Sequence, residues 1–146
     1  MLFSKDSDSD KSRDNKDTKN YKFNSLRAFD WDSASNGLSR YRQVFDRWEL
    51  KYLGAELSFY NKKFDEADWK TNIEFKAWNL KEGEKDTVKC TINEEFTISK
   101  DENTVYITKG WGDDELGKFW RKGDYLWEAS IDGDKVGEIK FYIEEH

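Results

Sequence analysis

The chain of 146 residues has a formal net charge of −6 and is 36% hydrophobic and 16% aromatic. Phosphate backbones select basic surfaces, so this acidic balance leaves nucleic acid out of the expected partners. No stretch approaches the about 20 consecutive apolar residues of a membrane-spanning helix, so a membrane is not an expected partner either.

The N-terminal segment, residues 1–20, is polar and charged, and residues 4–20 read SKDSDSDKSRDNKDTKN. Such a segment cannot bury enough apolar surface to offset the entropy lost on ordering. The Asp6-x-Asp8-x-Asp10 spacing resembles a calcium loop, but Lys11 and Asp17 stand where that loop needs Gly and Glu. We therefore predict a disordered tail over residues 1–20 and one folded domain over residues 21–146.

From Tyr21 onward, apolar residues alternate with polar ones at the period of two that is typical of strands. Asp132-Gly133 predicts a tight hairpin before the last strand, because both residues can take positive φ. The alternating sets, in chain order, are Phe23, Phe29 and Trp31; Leu53, Ala55, Leu57 and Phe59; Ile73, Phe75 and Ala77; Val88, Cys90 and Ile92; Phe96 and Ile98; residues 105–108; Tyr125, Trp127, Ala129 and Ile131; and Ile139, Phe141 and Ile143.

Two segments do not follow this alternation. In Arg40–Tyr52, the three-to-four spacing of Val44, Phe45 and Trp48 suits one or two helical turns, and an irregular edge strand fits equally well. Residues 64–69 suit another short helical turn. Seven or eight short strands separated by turns predict an all-β, immunoglobulin-like antiparallel two-sheet sandwich, with a small barrel as the alternative.

Three segments form a distinctive pattern: Val44–Tyr60, Gly110-Trp111-Gly112, and Trp120–Gly133 (WRKGDYLWEASIDG). Together they resemble a bacterial, Bacteroidetes-type immunoglobulin-like β-sandwich module found before AAA-type ATPase domains. The resemblance covers roughly residues 21–146. It implies a non-catalytic accessory or substrate-engaging domain in the cytoplasm, whose partner is a protein or the AAA-type ATPase domain itself.

A shorter resemblance concerns the fold alone. Gly123-Asp124-Tyr125 resembles the tyrosine corner of immunoglobulin folds, in which a tyrosine at the start of a strand bonds back across a loop. The two framework cysteines of antibody domains are absent, since Cys90 is the single cysteine. The wider superfold is therefore predicted, and a fold does not fix a function.

The residues that carry most enzymatic chemistry are scarce. Cys90 and His146 are the single cysteine and the single histidine. A nucleophile–histidine system therefore lacks a suitable base, and zinc sites built from Cys and His need several such ligands. We expect no catalytic, metal-binding or cofactor-binding residues, no cofactor, and a protein that is not an enzyme. One unpaired cysteine also favours a reducing compartment.

Residues 112–119, GDDELGKF, nearly match the phosphate-binding pattern GxxxxGK[ST]. Phe119 replaces the hydroxyl group that binds magnesium, and Asp113, Asp114 and Glu115 fill the place of the phosphates. We interpret the segment as a flexible acidic loop. Its acids beside Trp111 also resemble a glycosidase pair, but solvated turn residues explain them better.

Three aromatic residues, Trp111, Phe119 and Trp120, lie where the alternation lapses. They either fold back to plug the end of the sandwich or form an exposed aromatic platform, as in binding hot spots. Trp78 lies opposite the predicted core face and is either exposed or covered by the tail. These four residues are the candidate partner-binding set.

The leading hypothesis is a non-catalytic interaction module that engages a protein partner or an adjoining ATPase domain. Its contacts are the residue 110–120 loop or an open sheet edge, since extended partners add to edges by β-augmentation. The alternative is a carbohydrate-binding module that stacks exposed Trp rings on sugars. The sequence fixes neither the ligand nor the oligomeric state.

Overall fold

The computed structural model describes residues 19–31 and 41–146, and these residues form eight strands. The predicted number of strands is confirmed. Of the tail predicted over residues 1–20, only Lys19 and Asn20 are described, and both make contacts with the domain. The strands are β1 (Tyr21–Trp31), β2 (Val44–Asp46), β3 (Tyr52–Asn61), β4 (Trp69–Lys81), β5 (Glu84–Ile98), β6 (Thr104–Gly112), β7 (Gly123–Ile131) and β8 (Asp134–Glu144).

The strands form two sheets, one with the order β1-β3-β6 and one with the order β2-β8-β7-β4-β5. Every pairing is antiparallel except that of β2 with β8, which is parallel. Consecutive strands lie in different sheets, except for the pairs β4–β5 and β7–β8. This places β1, β3 and β6 at immunoglobulin positions A, B and E, and β4, β7 and β8 at positions C, F and G. The predicted two-sheet sandwich is confirmed.

The core lies between the sheets, where the predicted alternating sets of β3, β4 and β7 point inward. Aromatic rings fill its centre around Phe141, whose ring centroid lies 5.8 Å from that of Trp120 and 5.3 Å from that of Tyr125. Each buried aromatic side chain removes about 150–250 Å² of surface from water, so few rings can hold the layers together. The fully buried large side chains include Trp120, Trp127, Phe45, Phe59, Phe75, Leu53, Leu57, Ile73 and Ile131.

The sequence placed Phe23, Phe29 and Trp31 on one face of β1, and the structure corrects this. A register shift between Phe23 and Ser25 changes the strand's alternation. An extra residue in one strand moves every later side chain to the opposite face. Leu26 therefore faces the core beyond the shift, while Phe29 and Trp31 lie on the outer face of the smaller sheet.

A second register shift explains why Val88 is exposed although it alternates with Cys90. Cys90 pairs with Ala77, but Val88 pairs with Trp78, so Lys89 is the extra residue between them. Val88 consequently lies on the outer face beside Trp78. The two short runs predicted over residues 88–92 and 96–98 are parts of a single strand, β5.

The Asp132-Gly133 hairpin is confirmed, with φ angles of 49° and 86° at its two turn residues. The segment Arg40–Tyr52 combines both predicted alternatives, because the edge strand β2 is followed by the 3₁₀ turn Arg47–Glu49. The helical turn expected over residues 64–69 begins earlier, since residues 62–66 make turns in which Ala67 N donates to Lys63 O at 3.3 Å, and β4 begins at Trp69.

Candidate functional site

The loop that joins β6 to β7 folds back over one end of the sandwich. Its backbone is held against the segment before β3, since Asp113 N donates to Lys51 O at 3.0 Å and Gly117 N donates to Leu50 O at 2.9 Å. Arg47 Nε donates to the carbonyl oxygen of Gly117 at 2.8 Å. These bonds fix the path of the loop and therefore the positions of the aromatic residues at its ends.

Trp120 belongs to the core and is only 1% exposed. Its Nε1 donates to the carbonyl oxygen of Trp111 at 2.7 Å, and its ring packs on those of Tyr125, Trp127 and Phe141. A buried indole is stable where its N–H finds a partner, and this one does. Trp120 is thus a plug of the sandwich and is removed from the candidate partner-binding set.

The other two aromatic residues of the loop differ in exposure. Trp111 is 41% exposed at the end of β6. Phe119 is half-buried, with its ring centroid 5.1 Å from that of Trp120 and with Lys89 Nζ 4.5 Å from its own centroid. The loop therefore presents one largely accessible ring, Trp111, where the sequence allowed a platform of three.

The acids of the loop are used by the loop's own structure. Asp113 Oδ1 accepts a hydrogen bond from the backbone N of Glu115 at 2.9 Å, and Asp114 accepts one from the hydroxyl group of Tyr52. No helix follows Lys118, and the chain enters β7 at Gly123. The resemblance to a phosphate-binding loop therefore stops at the sequence, because that motif needs a helix N-terminus after the glycine-rich turn.

Trp78 lies on the outer face of the larger sheet, apart from the loop. Lys76 Nζ and Lys85 Nζ approach its ring centroid at 5.7 and 5.1 Å, and its Nε1 donates to Glu128 Oε1 at 3.3 Å. Cations near an aromatic face are attracted to its negative charge density. Trp78 is half-buried within this network, and its contact with Glu128 could not be predicted because the two residues lie 50 positions apart in the chain.

Glu128 is the electrostatic centre of that network. Lys85 donates to its carboxylate, and Lys135 Nζ lies 3.7 Å away. Partial burial, the largest single effect, acts to raise the pKa of Glu128, but the hydrogen bonds from Lys85 and Trp78, together with the charges of Lys85 and Lys135, lower it below its ordinary value. The carboxylate is therefore held in its charged form at neutral pH.

A further surface, which sequence reasoning missed, is the outer face of the smaller sheet. Three tyrosines lie on it: Tyr106 is 61% exposed, Tyr41 47% and Tyr60 42%. Tyr60 of β3 and Tyr106 of β6 stand opposite the buried Phe59 and Val105 in the strand alternation. We call the outer face that carries Tyr41, Tyr60 and Tyr106 the tyrosine face.

Two of these tyrosines are held in place by hydrogen bonds on the face. Tyr60 Oη donates to Asn24 Oδ1 at 3.1 Å, and Asn24 Nδ2 donates to Ser58 Oγ at 3.1 Å. Tyr41 Oη donates to Glu56 Oε2 at 2.9 Å. These partners restrict the rings before any ligand arrives, so less side-chain entropy is lost on binding.

At one end of the tyrosine face, two glycines leave room for aromatic rings to lie against the sheet. Phe29 lies across Gly54, where an added Cβ would come within 2.5 Å of its ring, and Trp31 lies over Gly110. The Phe29 centroid lies 6.1 Å from that of Tyr41, and Arg27 stands 4.9 Å from the same tyrosine ring. Phe29 and Arg27 therefore both pack against the ring of Tyr41.

The two residues with reactive side chains are not assembled into a site. Cys90 is buried, and burial raises the pKa of its thiol to about 12. His146 is exposed and lies 3.0 Å from Glu144 and 3.4 Å from Asp46. Within residues 19–31 and 41–146, no cluster of three or more metal-ligating side chains is present. The same residues include no helix long and apolar enough to cross a membrane.

The sheet order and the hydrogen bond from Tyr125 Oη to Arg121 O at 2.7 Å define an immunoglobulin-like β-sandwich. No protein-family model and no curated protein matches the chain. Among solved structures, it is similar to the Pseudomonas fluorescens alkylpurine DNA glycosylase AlkC bound to DNA containing an abasic site analog, with a TM-score of 0.56 and 9% identity. That match covers 86% of this chain and 30% of the glycosylase.

More distant matches are two structures of a β-glucosidase from Listeria innocua. The complex with glucose has a TM-score of 0.49 at 11% identity and covers 84% of this chain and 15% of the enzyme. The complex with isofagomine has a TM-score of 0.47 at 10% identity and covers 86% and 16%. The chain thus spans less than a third of each matched protein, and the likeness to the glycosylase concerns the fold alone.

Proposed function

We propose that this domain is a non-catalytic interaction module that binds a protein partner through the tyrosine face. The observation that carries the proposal is the set of three exposed tyrosines, Tyr41, Tyr60 and Tyr106, on one face of one sheet. Tyrosine offers a large, rigid and amphipathic contact at a low cost in conformational entropy, which is why paratopes and hot spots are rich in it.

The neighbours of the tyrosines favour the same function. Asn24 adds an exposed polar side chain, held from below by the buried Ser58, while Arg27 and Glu56 add one charge of each sign. Such a mixture is typical of surfaces that bind proteins rather than extended polyanions. Trp111, at the end of β6, is also exposed, but its pairing with the buried Leu53 places it off the tyrosine face.

The chemistry of the reactive residues supports a non-catalytic role. A thiol with a pKa of about 12 is almost entirely protonated at neutral pH, and Cys90 is also closed to solvent. His146 stands beside the carboxylates of Asp46 and Glu144. A buried unpaired thiol also agrees with residence in a reducing compartment, and we propose the cytoplasm.

The first partner to test is an AAA-type ATPase domain from the same genome. The choice rests on the resemblance of Gly110–Gly112 and Trp120–Gly133 to modules that precede such domains in bacteria. The module and the ATPase domain are expressed separately, and the dissociation constant is measured by titration calorimetry. Proteins captured from a lysate of the source cells and then purified are titrated in the same way.

The decisive variants are Tyr106→Ala and Tyr60→Ala, with Lys140→Ala on the outer face of the other sheet as the matched control. Loss of a central tyrosine should weaken binding about tenfold or more, whereas the control should bind as the unaltered domain does. Equal binding by all the variants would exclude the tyrosine face as the contact surface. Failure of every purified candidate to bind would exclude the interaction role.

Carbohydrate binding is the second candidate, and the exposed ring of Trp111 favours it. A glycan array probed with the unaltered domain and with Trp111→Ala tests this function directly. If the unaltered domain binds a glycan that Trp111→Ala does not bind, and no protein partner is found, carbohydrate binding replaces protein binding as the proposed function. Trp78 contributes less to this candidate, because two lysines already occupy the surroundings of its ring.

A further inference from the structure

A pocket of about 170 Å³ lies at the end of the sandwich opposite the residue 110–120 loop. It forms where β1 and β4 begin and where β7 turns into β8. Its position is independent of the tyrosine face, so the inference below does not rest on the proposed function. The lining residues are Lys19, Asn20, Tyr21, Trp69, Ile131, Asp132 and Asp134.

The charge of the lining favours a cation. Asp132 and Asp134 supply two carboxylates, and Lys19 supplies one ammonium group, which leaves one excess negative charge. Asp132 is fixed by the hairpin, because its Oδ1 accepts from Asn72 N at 2.8 Å and its own N donates to Asn72 O at 2.7 Å. Among the lining residues, carboxylates therefore outnumber ammonium groups by two to one.

The aromatic walls of the pocket are held from behind. The ring centroids of Tyr21 and Trp69 lie 5.9 and 6.2 Å from that of the buried Phe59. Trp69 Nε1 also donates to Asn61 Oδ1 at 2.9 Å. Phe59 and Asn61 thus fix two rings beside two carboxylates, which is an arrangement suited to an alkylammonium ion.

The chain's own Lys19 already shows what the pocket accepts. Its Nζ lies 2.6 Å from Asp134 Oδ2 and 5.9 Å from the ring centroid of Tyr21. The hydrogen bond with Asp134 raises the pKa of Lys19, so the group remains protonated. Exposed ion pairs of this kind are weak, and the Lys19 side chain is one-third exposed, so an incoming ammonium group can displace it.

We propose that this pocket binds an alkylammonium group, such as the lysine side chain of a partner protein, and that Lys19 occupies the site in the unbound domain. Lys19 then acts as an internal competitor. The apparent affinity for an external ammonium group is reduced by the fraction of molecules in which Lys19 is seated. Removal of the Lys19 side chain should therefore strengthen binding, which is the opposite of what loss of a simple contact residue does.

Three ligands test the proposal by nuclear magnetic resonance, with the indole N–H of Trp69 and the backbone N–H of Asp134 as reporters. They are n-butylammonium, an acetyl-Gly-Lys-Gly-amide peptide, and the same peptide with its lysine acetylated. We expect Lys19→Ala to bind the first two about threefold more tightly than the unaltered domain. The double variant with Asp134→Asn should bind them about tenfold more weakly than Lys19→Ala alone.

Lys22→Ala, which alters the first lysine of β1, is the matched control and should bind as the unaltered domain does. Thermal unfolding of each variant establishes that the fold is intact. Tighter binding of the peptide than of n-butylammonium would assign the site to proteins, and equal binding would assign it to small amines. The proposal is overturned if Lys19→Ala binds no more tightly than the unaltered domain, or if the acetylated peptide binds equally well.

Discussion

The hydroxyl group of Tyr125 donates a hydrogen bond to the carbonyl oxygen of Arg121 across 2.7 Å. Tyr125 lies near the start of β7 and Arg121 lies at the end of the loop before it, so the bond closes the turn between the two sheets. Gly123 permits this turn, since its φ is 151°. The tyrosine ring meanwhile stacks on Phe141 at 5.3 Å within the core. One residue thus joins the residue 110–120 loop to the packing of both β7 and β8.

We expect Tyr125→Phe to lower the free energy of unfolding by about 1–2 kcal/mol, because the ring remains but the carbonyl of Arg121 loses its donor. Urea denaturation followed by tryptophan fluorescence measures the change, and the dependence on urea should keep its slope. Tyr106→Phe is the control, since it removes a hydroxyl group from an exposed ring. Equal losses of unfolding free energy for the two variants would mean that the hydrogen bond from Tyr125 to Arg121 does not stabilise the domain.

Gly54 is the position at which the smaller sheet leaves least room for a side chain. A Cβ there would lie 2.5 Å from Phe29 Cζ and 2.9 Å from the carbonyl oxygen of Lys109. We expect Gly54→Ala to destabilise the domain by about 1–3 kcal/mol through overpacking. In a Phe29→Leu background the loss should shrink, because the ring that causes much of the clash is gone, and a double-mutant cycle in urea measures the difference. An unchanged loss would assign the strain to the backbone of Lys109 instead.

The sequence was sufficient to predict those parts of the fold that depend on a single local pattern. Alternation with a period of two was sufficient for β3, β4 and β7, and the Asp132-Gly133 pair was sufficient for the hairpin between β7 and β8. Where a register shift intervenes, the same rule fails. The shift after Phe23 sends Phe29 to the outer face, and no residue type in β1 marks its position.

The candidate site was less accessible to sequence reasoning for a related reason. Alternation places Tyr60 and Tyr106 outward, so these two could have been found by asking which large rings oppose buried residues. Tyr41 could not, because its place depends on contacts with Phe29 and Glu56, which are distant in the chain. Burial of Trp120 likewise depends on the path of a whole loop.

The two tryptophans of the residue 110–120 loop should differ sharply in their effect on stability. Trp120→Ala empties a large core volume, so we expect a loss of about 3–5 kcal/mol or failure to fold. Trp111→Ala should cost about 1 kcal/mol or less, since the ring is partly exposed and its carbonyl still accepts from Trp120. Chemical denaturation and the yield of folded protein report both. A larger loss of stability for Trp111→Ala than for Trp120→Ala would mean that Trp111, and not Trp120, plugs the sandwich.

The thiol of Cys90 should be unreactive in the folded domain. Burial closes the side chain to solvent and raises its pKa to about 12, so the thiolate is almost absent at neutral pH. We expect labelling with a chromogenic disulfide reagent to be about a hundredfold or more slower in buffer than in denaturing urea. Glutathione in the same two solvents corrects for the effect of urea on the reagent. Rapid labelling in buffer would show that β5 opens easily or that Cys90 is accessible.

The stabilisation contributed by Glu128 should depend on pH with a definite sign. Its folded pKa is lowered, because the hydrogen bonds from Lys85 and Trp78 and the charges of Lys85 and Lys135 together outweigh partial burial, which acts to raise it. A carboxyl group with a lowered folded pKa stabilises the domain above its unfolded pKa of about 4.3, and this contribution is lost as pH falls through the folded pKa. Glu128→Gln should therefore be less stable than the unaltered domain by about 1 kcal/mol at neutral pH. Urea titrations at a series of pH values should show the difference shrinking below about pH 4.3.

Glu138→Gln, which alters an exposed partner of Lys135, should show a smaller difference throughout. If the loss of unfolding free energy in Glu128→Gln stays constant down to acid pH, the packing of this side chain, rather than its charge, accounts for its contribution to stability.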